Sequence, residues 1–180
     1  MALVLLAPLS SSASYFPDRY DREIKKAAKN FLPGVEWRLL KAQYWQESKL
    51  DPDAVSPVGA RGLAQVMPGT WKEISQAMKW AAISPHDTSY AVQAGAFYMH
   101  RMRKGWSSKR SEEDRHDLAL ASYNAGFGSL LKAQKACGNA TDYPNIVECL
   151  PRITGKHSKE TIWYVFHIRR WYKMMMFGWD

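Results

Sequence analysis

Apolar residues recur along this chain at a helical rather than a strand period. Over 17–31, "PDRYDREIKKAAKNF", good helix formers run up to Pro33-Gly34, a pair that ends a helix. From Val35 to Ser48, Val35, Leu39 and Ala42, flanked by Leu40 and Tyr44, keep the i, i+3, i+4 spacing of an amphipathic helix. Pro68 suits a first helical position, and Trp71, Ile74, Ala77 and Met78 form the apolar stripe behind it. Ala94, Phe97, Tyr98 and Met102 mark one side of a helix from about Tyr90 to Lys104. The run "SSKRSEEDRHD", Ser107 to Asp117, reads as a solvated charged loop, with Asp117 capping a helix that carries "LALASYN". Ala125-Gly126 breaks that helix, and "FGSLLKAQKA" makes another short one. The last helix is expected to start at an N-cap Ser158, with Glu160 in its first turn where the dipole favours a carboxylate, and to reach about Phe177. No segment alternates as a strand would, and no repeat is present. The expected fold is mainly α: one compact domain of many short helices over 17–180, behind a hydrophobic N-terminal segment, 1–16.

Composition narrows the partners. The 180 residues are 46% hydrophobic and 23% charged, as in a globular protein. A formal charge of +8 favours polyanions: nucleic acid, anionic lipid or an acidic cell wall. Lys and Arg are scattered with no long basic run, so no specific nucleic-acid partner is expected. The 8 Trp and 13% aromatics suit a core, a carbohydrate surface or a membrane interface.

Cys137 and Cys149 bracket "CGNATDYPNIVEC". In an oxidising compartment they would form one disulfide; in the cytosol they would be two buried thiols, and their spacing leaves both readings open. No His stands at ligand spacing beside them, so no metal site is expected. The start, "MALVLLAPLSSSASYF", has an apolar run from Ala2 to Leu9 and then small residues, but no basic residue before the run. It reads as a weak signal peptide or a docking tail.

One carboxyl stands out. Glu47 ends the second expected helix, just before the Pro- and Gly-rich stretch "SKLDPDAVSPVGARGLAQVMPGTW". The negative end of the helix dipole disfavours a carboxylate there, and Tyr44 and Trp45 offer an apolar pocket. Both effects raise a Glu pKa, and a carboxyl protonated near neutral pH can serve as a general acid. Taken alone, the residue reads as the solvated end of a helix.

Its surroundings decide. "QESKLDPDAVSPVGARGLAQVMPGTW", then "LASYNAG" from Leu120 to Gly126, then "KETIWYV" from Lys159 to Val165, follow in order, with the weaker block "AVQAGAFYM" between the first two. In these blocks the chain resembles the lytic transglycosylases of the SLT type, whose catalytic domain is goose-lysozyme-like and cleaves bacterial peptidoglycan. The resemblance covers about Val35 to Val165. It departs at Ala64, where the family usually has Met, at Ile162, where Arg is frequent, and at Asp51 and Asp53, where Asn is common.

The resemblance implies a lysozyme-like domain and a set of roles. Glu47 would protonate the glycosidic oxygen between N-acetylmuramic acid and N-acetylglucosamine, then deprotonate the muramic C6 hydroxyl as it closes a 1,6-anhydro ring. Ser56 would bond the muramic N-acetyl group, Gln65 would offer its amide to a sugar, and Met67 would pack beside the ring. Gly59 and Gly62 would permit the tight path that returns Gln65 to Glu47. Tyr123 and Asn124 would line the cleft. Tyr164 would hold the rotamer of Glu47, and Glu160 would bond backbone or substrate, or only favour its helix start. No metal or organic cofactor is implied.

Two rival readings share the fold. A hydrolytic muramidase would need a second carboxylate to activate water, which points to Asp51 or Asp53. A non-catalytic glycan-binding virion component would need no Glu47. The expected partners are peptidoglycan glycan strands, with virion or secretion-apparatus proteins beside them. The tail "HIRRWYKMMMFGWD" suits either an anionic membrane surface or a packed helix with solvated basic residues. The setting expected is a virion, or the bacterial periplasm and cell envelope.

Overall fold

The computed structural model describes residues 15–178. Among them are nine helices: α1 (Asp21–Phe31), α2 (Trp37–Ser48), α3 (Pro68–Ala77), α4 (Thr88–Gly105), α5 (Glu112–Ala125), α6 (Phe127–Ala136), α7 (Tyr143–Glu148), α8 (Pro151–Thr154) and α9 (His157–Phe177). The described residues contain no β-strand, only isolated antiparallel bridges of Arg61 with Val55 and with Val66. The mainly α expectation holds. Of the expected N-terminal segment, 1–14 lie outside the described residues. Phe16, its last residue, is buried in the core, edge-on to Trp45 with centroids 5.3 Å apart.

The architecture is a layer of helices around α5. α2 lies along α9; α5 packs on both α4 and α9, and α1 closes the far side against α4 and α2. The core is built from Leu40, Tyr44, Leu63, Ile74, Met99, Trp106, Leu118, Leu120 and Leu130, all fully buried. Several polar groups that enter it are paired. Trp106 Nε1 donates to Ser122 Oγ at 2.9 Å, and the Ser122 hydroxyl donates in turn to the Leu118 carbonyl at 2.7 Å. Lys41 on α2 meets Asp21 on α1 at 2.5 Å.

Several boundaries differ from expectation, each for a local reason. The charged loop is shorter: α5 already begins at Glu112, because Ser111 Oγ accepts the Asp114 N–H at 2.9 Å and three acids occupy the first turn. Asp117 is therefore no cap. It lies inside the helix, buried, and accepts from Arg169 Nε of α9 at 2.7 Å. Ser158 is not an N-cap either: α9 starts one residue earlier, and the Ser158 hydroxyl donates to the Gly155 carbonyl at 2.7 Å. The stretch between the cysteines holds α7, which Asp142 caps through the Asn145 N–H at 3.1 Å. Cys137 and Cys149 are disulfide-bonded, with Cα atoms 5.7 Å apart, so the ends of α6 and α7 are tied.

Candidate active site

The site forms where α2 ends against α9. Tyr164 on α9 donates its hydroxyl proton to Glu47 Oε1 at 2.5 Å, across 117 residues of sequence. Glu47 is half-buried and Tyr164 buried. Burial pushes the Glu47 carboxyl up to about 8, and the Tyr164 hydrogen bond opposes this by favouring the carboxylate. Desolvation, more than the end of the helix, is therefore what raises it. The expected apolar pocket is also made differently. Tyr44 turns to α4 and donates to the Val92 carbonyl at 2.6 Å, while Trp45 turns to Tyr15 and Phe16. Successive helical side chains diverge by about 100°, so Trp45 points away from Glu47, whereas Tyr44, nearly one turn before it, stays within reach of its charge. Burial and the Glu47 charge push up Tyr44, Tyr123 and Tyr164 alike.

After Glu47 the chain reverses sharply. Lys49 and Leu50 both take positive φ, 58° and 62°, and Lys49 is the left-handed cap of α2. The next residue after Glu47, Ser48, ties the returning segment down: its Oγ donates to the Leu63 carbonyl at 2.9 Å and accepts the Asp51 N–H at 3.2 Å. Residues 54–66 then fold into a small flap. Gly62 N–H donates to Ala54 O, and Arg61 and Val66 exchange backbone bonds at 3.1 and 3.2 Å. Gly62 has φ +70°, and a Cβ there would stand 2.0 Å from the Pro85 carbonyl oxygen. Gly59 also has positive φ, +89°, but faces open space.

The residues expected to bind substrate divide into groups. Tyr123, at the end of α5, donates to the Ala64 carbonyl at 2.7 Å and so joins that helix to the flap. Gln65 has φ 47°, and its amide nitrogen donates to the carbonyls of Ala54 at 3.2 Å and Gly62 at 2.8 Å. That nitrogen holds the flap together. Ser56 Oγ accepts the Ala60 N–H at 2.9 Å, which is the work of a turn serine. Asn124 is exposed, and its Oδ1 accepts from Thr161 Oγ1 of α9 at 2.7 Å. Met67 is exposed at the N-cap of α3, and Glu160 is exposed in the first turn of α9. Among them, Tyr164 is the residue that hydrogen-bonds Glu47. The others frame the flap and the helix ends around it.

Three residues had no part in the expected site. Ser48 follows Glu47 directly, and its tether needs only that adjacency. Thr161 lies inside the "KETIWYV" block and meets Asn124. Gly95 on α4 lets Tyr44 and Ala64 approach, since a Cβ there would stand 2.7 Å from Tyr44 and 2.8 Å from Ala64. Asp51 and Asp53 are exposed, and Asp51 Oδ1 accepts the Asp53 N–H at 2.9 Å, closing a turn. Among the described residues no group of three or more His, Cys, Asp and Glu is arranged to hold a metal ion.

Comparison with known proteins bears on the family and the fold. The family model described as "Transglycosylase SLT domain" matches residues 23–146. A membrane-bound lytic murein transglycosylase F of Alcanivorax borkumensis is 31% identical over 160 residues, which are 81% of this chain and 33% of that protein. The protein of the same name from Pseudomonas syringae pv. tomato is 34% identical over 172 residues, 87% of this chain and 33% of its own. The chain therefore spans about a third of the length of these curated relatives. Among solved structures, the 70 kDa soluble lytic transglycosylase of Escherichia coli superposes with a TM-score of 0.71 at 24% identity, over 90% of this chain and 25% of that one. An inactive Glu→Gln variant of lytic transglycosylase Slt from Pseudomonas aeruginosa gives 0.70 at 25% identity, over 92% and 25%.

Proposed function

The chain belongs to the transglycosylase SLT domain family, and from that premise we propose that it is a peptidoglycan lytic transglycosylase with Glu47 as its single acid–base catalyst. The observation that carries this reading is the Glu47–Tyr164 pair: one half-buried carboxyl, raised to about 8 and fixed by a phenol. Protonated at neutral pH, Glu47 gives its proton to the glycosidic oxygen as the bond from C1 of N-acetylmuramic acid breaks. The resulting carboxylate takes the proton of the muramic C6 hydroxyl, whose oxygen bonds to C1 and closes the 1,6-anhydro ring. The proton count balances and no water is consumed. Because the nucleophile belongs to the substrate, one carboxyl suffices, in contrast to the two-carboxylate glycosidases. The turn role of Asp51 and Asp53 argues against a hydrolytic muramidase, and the phenol-fixed acid argues against a purely glycan-binding protein.

Around that acid, the substrate roles of Ser56, Gln65, Met67, Tyr123, Asn124 and Glu160 belong to the same proposal. Tyr123 and Gln65 shape the flap over the sugar, Met67 offers an exposed apolar contact, and Ser56 keeps a hydroxyl proton to donate. The experiment is release of dye from labelled sacculi by wild type and by Glu47→Gln. Release that leaves no new reducing ends and vanishes in the variant supports the reading. Release with equal reducing ends, or release that survives the substitution, contradicts it.

The proposed setting is the bacterial cell envelope, with local wall penetration by a virion or secretion apparatus as the proposed role and proteins of that apparatus as partners. An anionic membrane surface is a further proposed partner. Lys159, Trp163, Phe166, Arg170, Lys173 and Phe177 are all exposed and follow one another at alternating i+4 and i+3 steps along α9. The aromatics suit the acyl boundary and the cations the headgroups. Among the described residues no helix is long and apolar enough to cross a membrane. Co-sedimentation with phosphatidylglycerol vesicles, lost in Phe166→Ser/Phe177→Ser, supports this partner; equal sedimentation of the variant removes it.

A further inference from the structure

Gln43 on α2 is fully buried, yet neither its amide nitrogen nor its amide oxygen has a hydrogen-bond partner in the protein. Burying an amide unpaired is unfavourable, and an apolar side chain of the same size would remove that cost. Gln43 stands four residues before Glu47, so the two side chains project from one face of the helix. Burial and the Glu47 charge push the Tyr164 phenol up, and the Gln43 amide opposes them, favouring negative charge on the phenol oxygen. Tyr164 in turn donates to Glu47 Oε1 at 2.5 Å. Amide, phenol and carboxyl are thus linked in series, with the first link still open.

We propose that Gln43 is a positioning residue for the acid–base chemistry of Glu47: its amide N–H closes onto Tyr164 Oη when a glycan strand fills the cleft. The inference rests on the lytic transglycosylase reading above. Catalytic hydrogen bonds are commonly long until substrate binds and then tighten. A donor into Tyr164 Oη strengthens the phenol's own donation, because hydrogen bonds in series polarise one another. The phenol proton is then held at Glu47 Oε1, and the other carboxyl oxygen is left to carry the proton for the glycosidic oxygen. A glutamine with only a packing role has no reason to keep both polar atoms in a core that Leu or Met would fill better.

Gln43→Met keeps length and removes both polar atoms; Gln43→Leu is a second apolar replacement. The experiment measures kcat and KM for release of anhydro products from purified glycan strands, with the melting temperature of each protein. It covers wild type, Q43M, Q43L, Y164F and the Q43M/Y164F double variant. In both Gln43 variants kcat should fall about tenfold, as expected for a misplaced catalytic group. KM should stay within about twofold, the pattern of an interaction made in the transition state. Their melting temperature should match or exceed that of wild type, and Q43M should have no further effect in the Y164F background. Wild-type kcat in Q43M makes Gln43 a packing residue and overturns the inference. So does an additional loss on top of Y164F, or a loss of activity that only follows a loss of stability in both variants. If the wild-type protein releases products without the anhydro ring, or none, the transglycosylase reading has failed first, and the inference falls with it.

Discussion

Glu47 and Tyr164 are joined by a 2.5 Å hydrogen bond between the last turn of α2 and the first half of α9. The phenol limits how far burial can raise the carboxyl and fixes which of its oxygens is occupied. Replacing Tyr164 by Phe removes the donor and nothing else of comparable size. The Glu47 pKa should rise further, and kcat should drop on the order of tenfold to a hundredfold through lost orientation. A pH–rate profile of Y164F, with its alkaline limb moved to higher pH and its plateau lowered, is the check.

The raised carboxyl also makes stability depend on pH in a defined direction. Its folded value, about 8, lies above its ordinary value of 4.5. Between those values the folded state holds a proton that the unfolded state has released. The contribution of Glu47 to stability is therefore fully present below about pH 4.5, declines as pH rises, and is lost once pH passes about 8. Glu47→Gln has no such dependence. The melting temperature of the variant should match wild type near pH 4.5 and exceed it by a growing margin up to about pH 8. Parallel melting curves across that range would refute the assignment.

Two glycines of the flap should respond differently. Both have positive φ, but a Cβ on Gly62 collides with the Pro85 carbonyl, while one on Gly59 meets nothing. Gly62→Ala should cost about 2–3 kcal/mol, the range of strain combined with a steric clash. Gly59→Ala should cost about 1 kcal/mol, the left-handed backbone alone. Chemical denaturation of both variants measures the difference.

The disulfide ties the ends of α6 and α7, neither of which carries Glu47 or Tyr164. Cys137→Ser/Cys149→Ser should lower the unfolding free energy by about 3 kcal/mol, mainly through the released unfolded chain. The kcat at a temperature where the variant is still folded should stay within about twofold of wild type, because α2, α9 and the flap do not include this loop. A large loss of kcat under those conditions would show that the bridge shapes the cleft.

How legible the molecule was in its sequence depended on the range of the cause. α2 and α3 were visible because apolar periodicity and Pro at a helix start act within a few residues. The start of α5 was misplaced because Asp117 has two uses, and its partner Arg169 is 52 residues away. α7 and α8 were missed because they are short and are held by the disulfide and by packing on α6 and α9. The candidate site was readable as blocks of residues, and Glu47 with Tyr164 came together as those blocks implied. What no pattern contained was the division of labour: that Asn124 is taken by Thr161, that the Gln65 nitrogen is held inside the flap, and that Ser48 fixes the flap to the helix of Glu47. Each depends on contacts fixed only when the helices assemble.

The central claim is that Glu47 closes an anhydro ring without water. Digestion of purified peptidoglycan in ¹⁸O-labelled water, followed by mass spectrometry of the muropeptides, tests it most directly, with Glu47→Gln alongside. The products should be one water lighter than hydrolytic fragments, carry no ¹⁸O, and be absent with the variant. Products that incorporate one ¹⁸O at the new reducing end would contradict it and make the protein a muramidase.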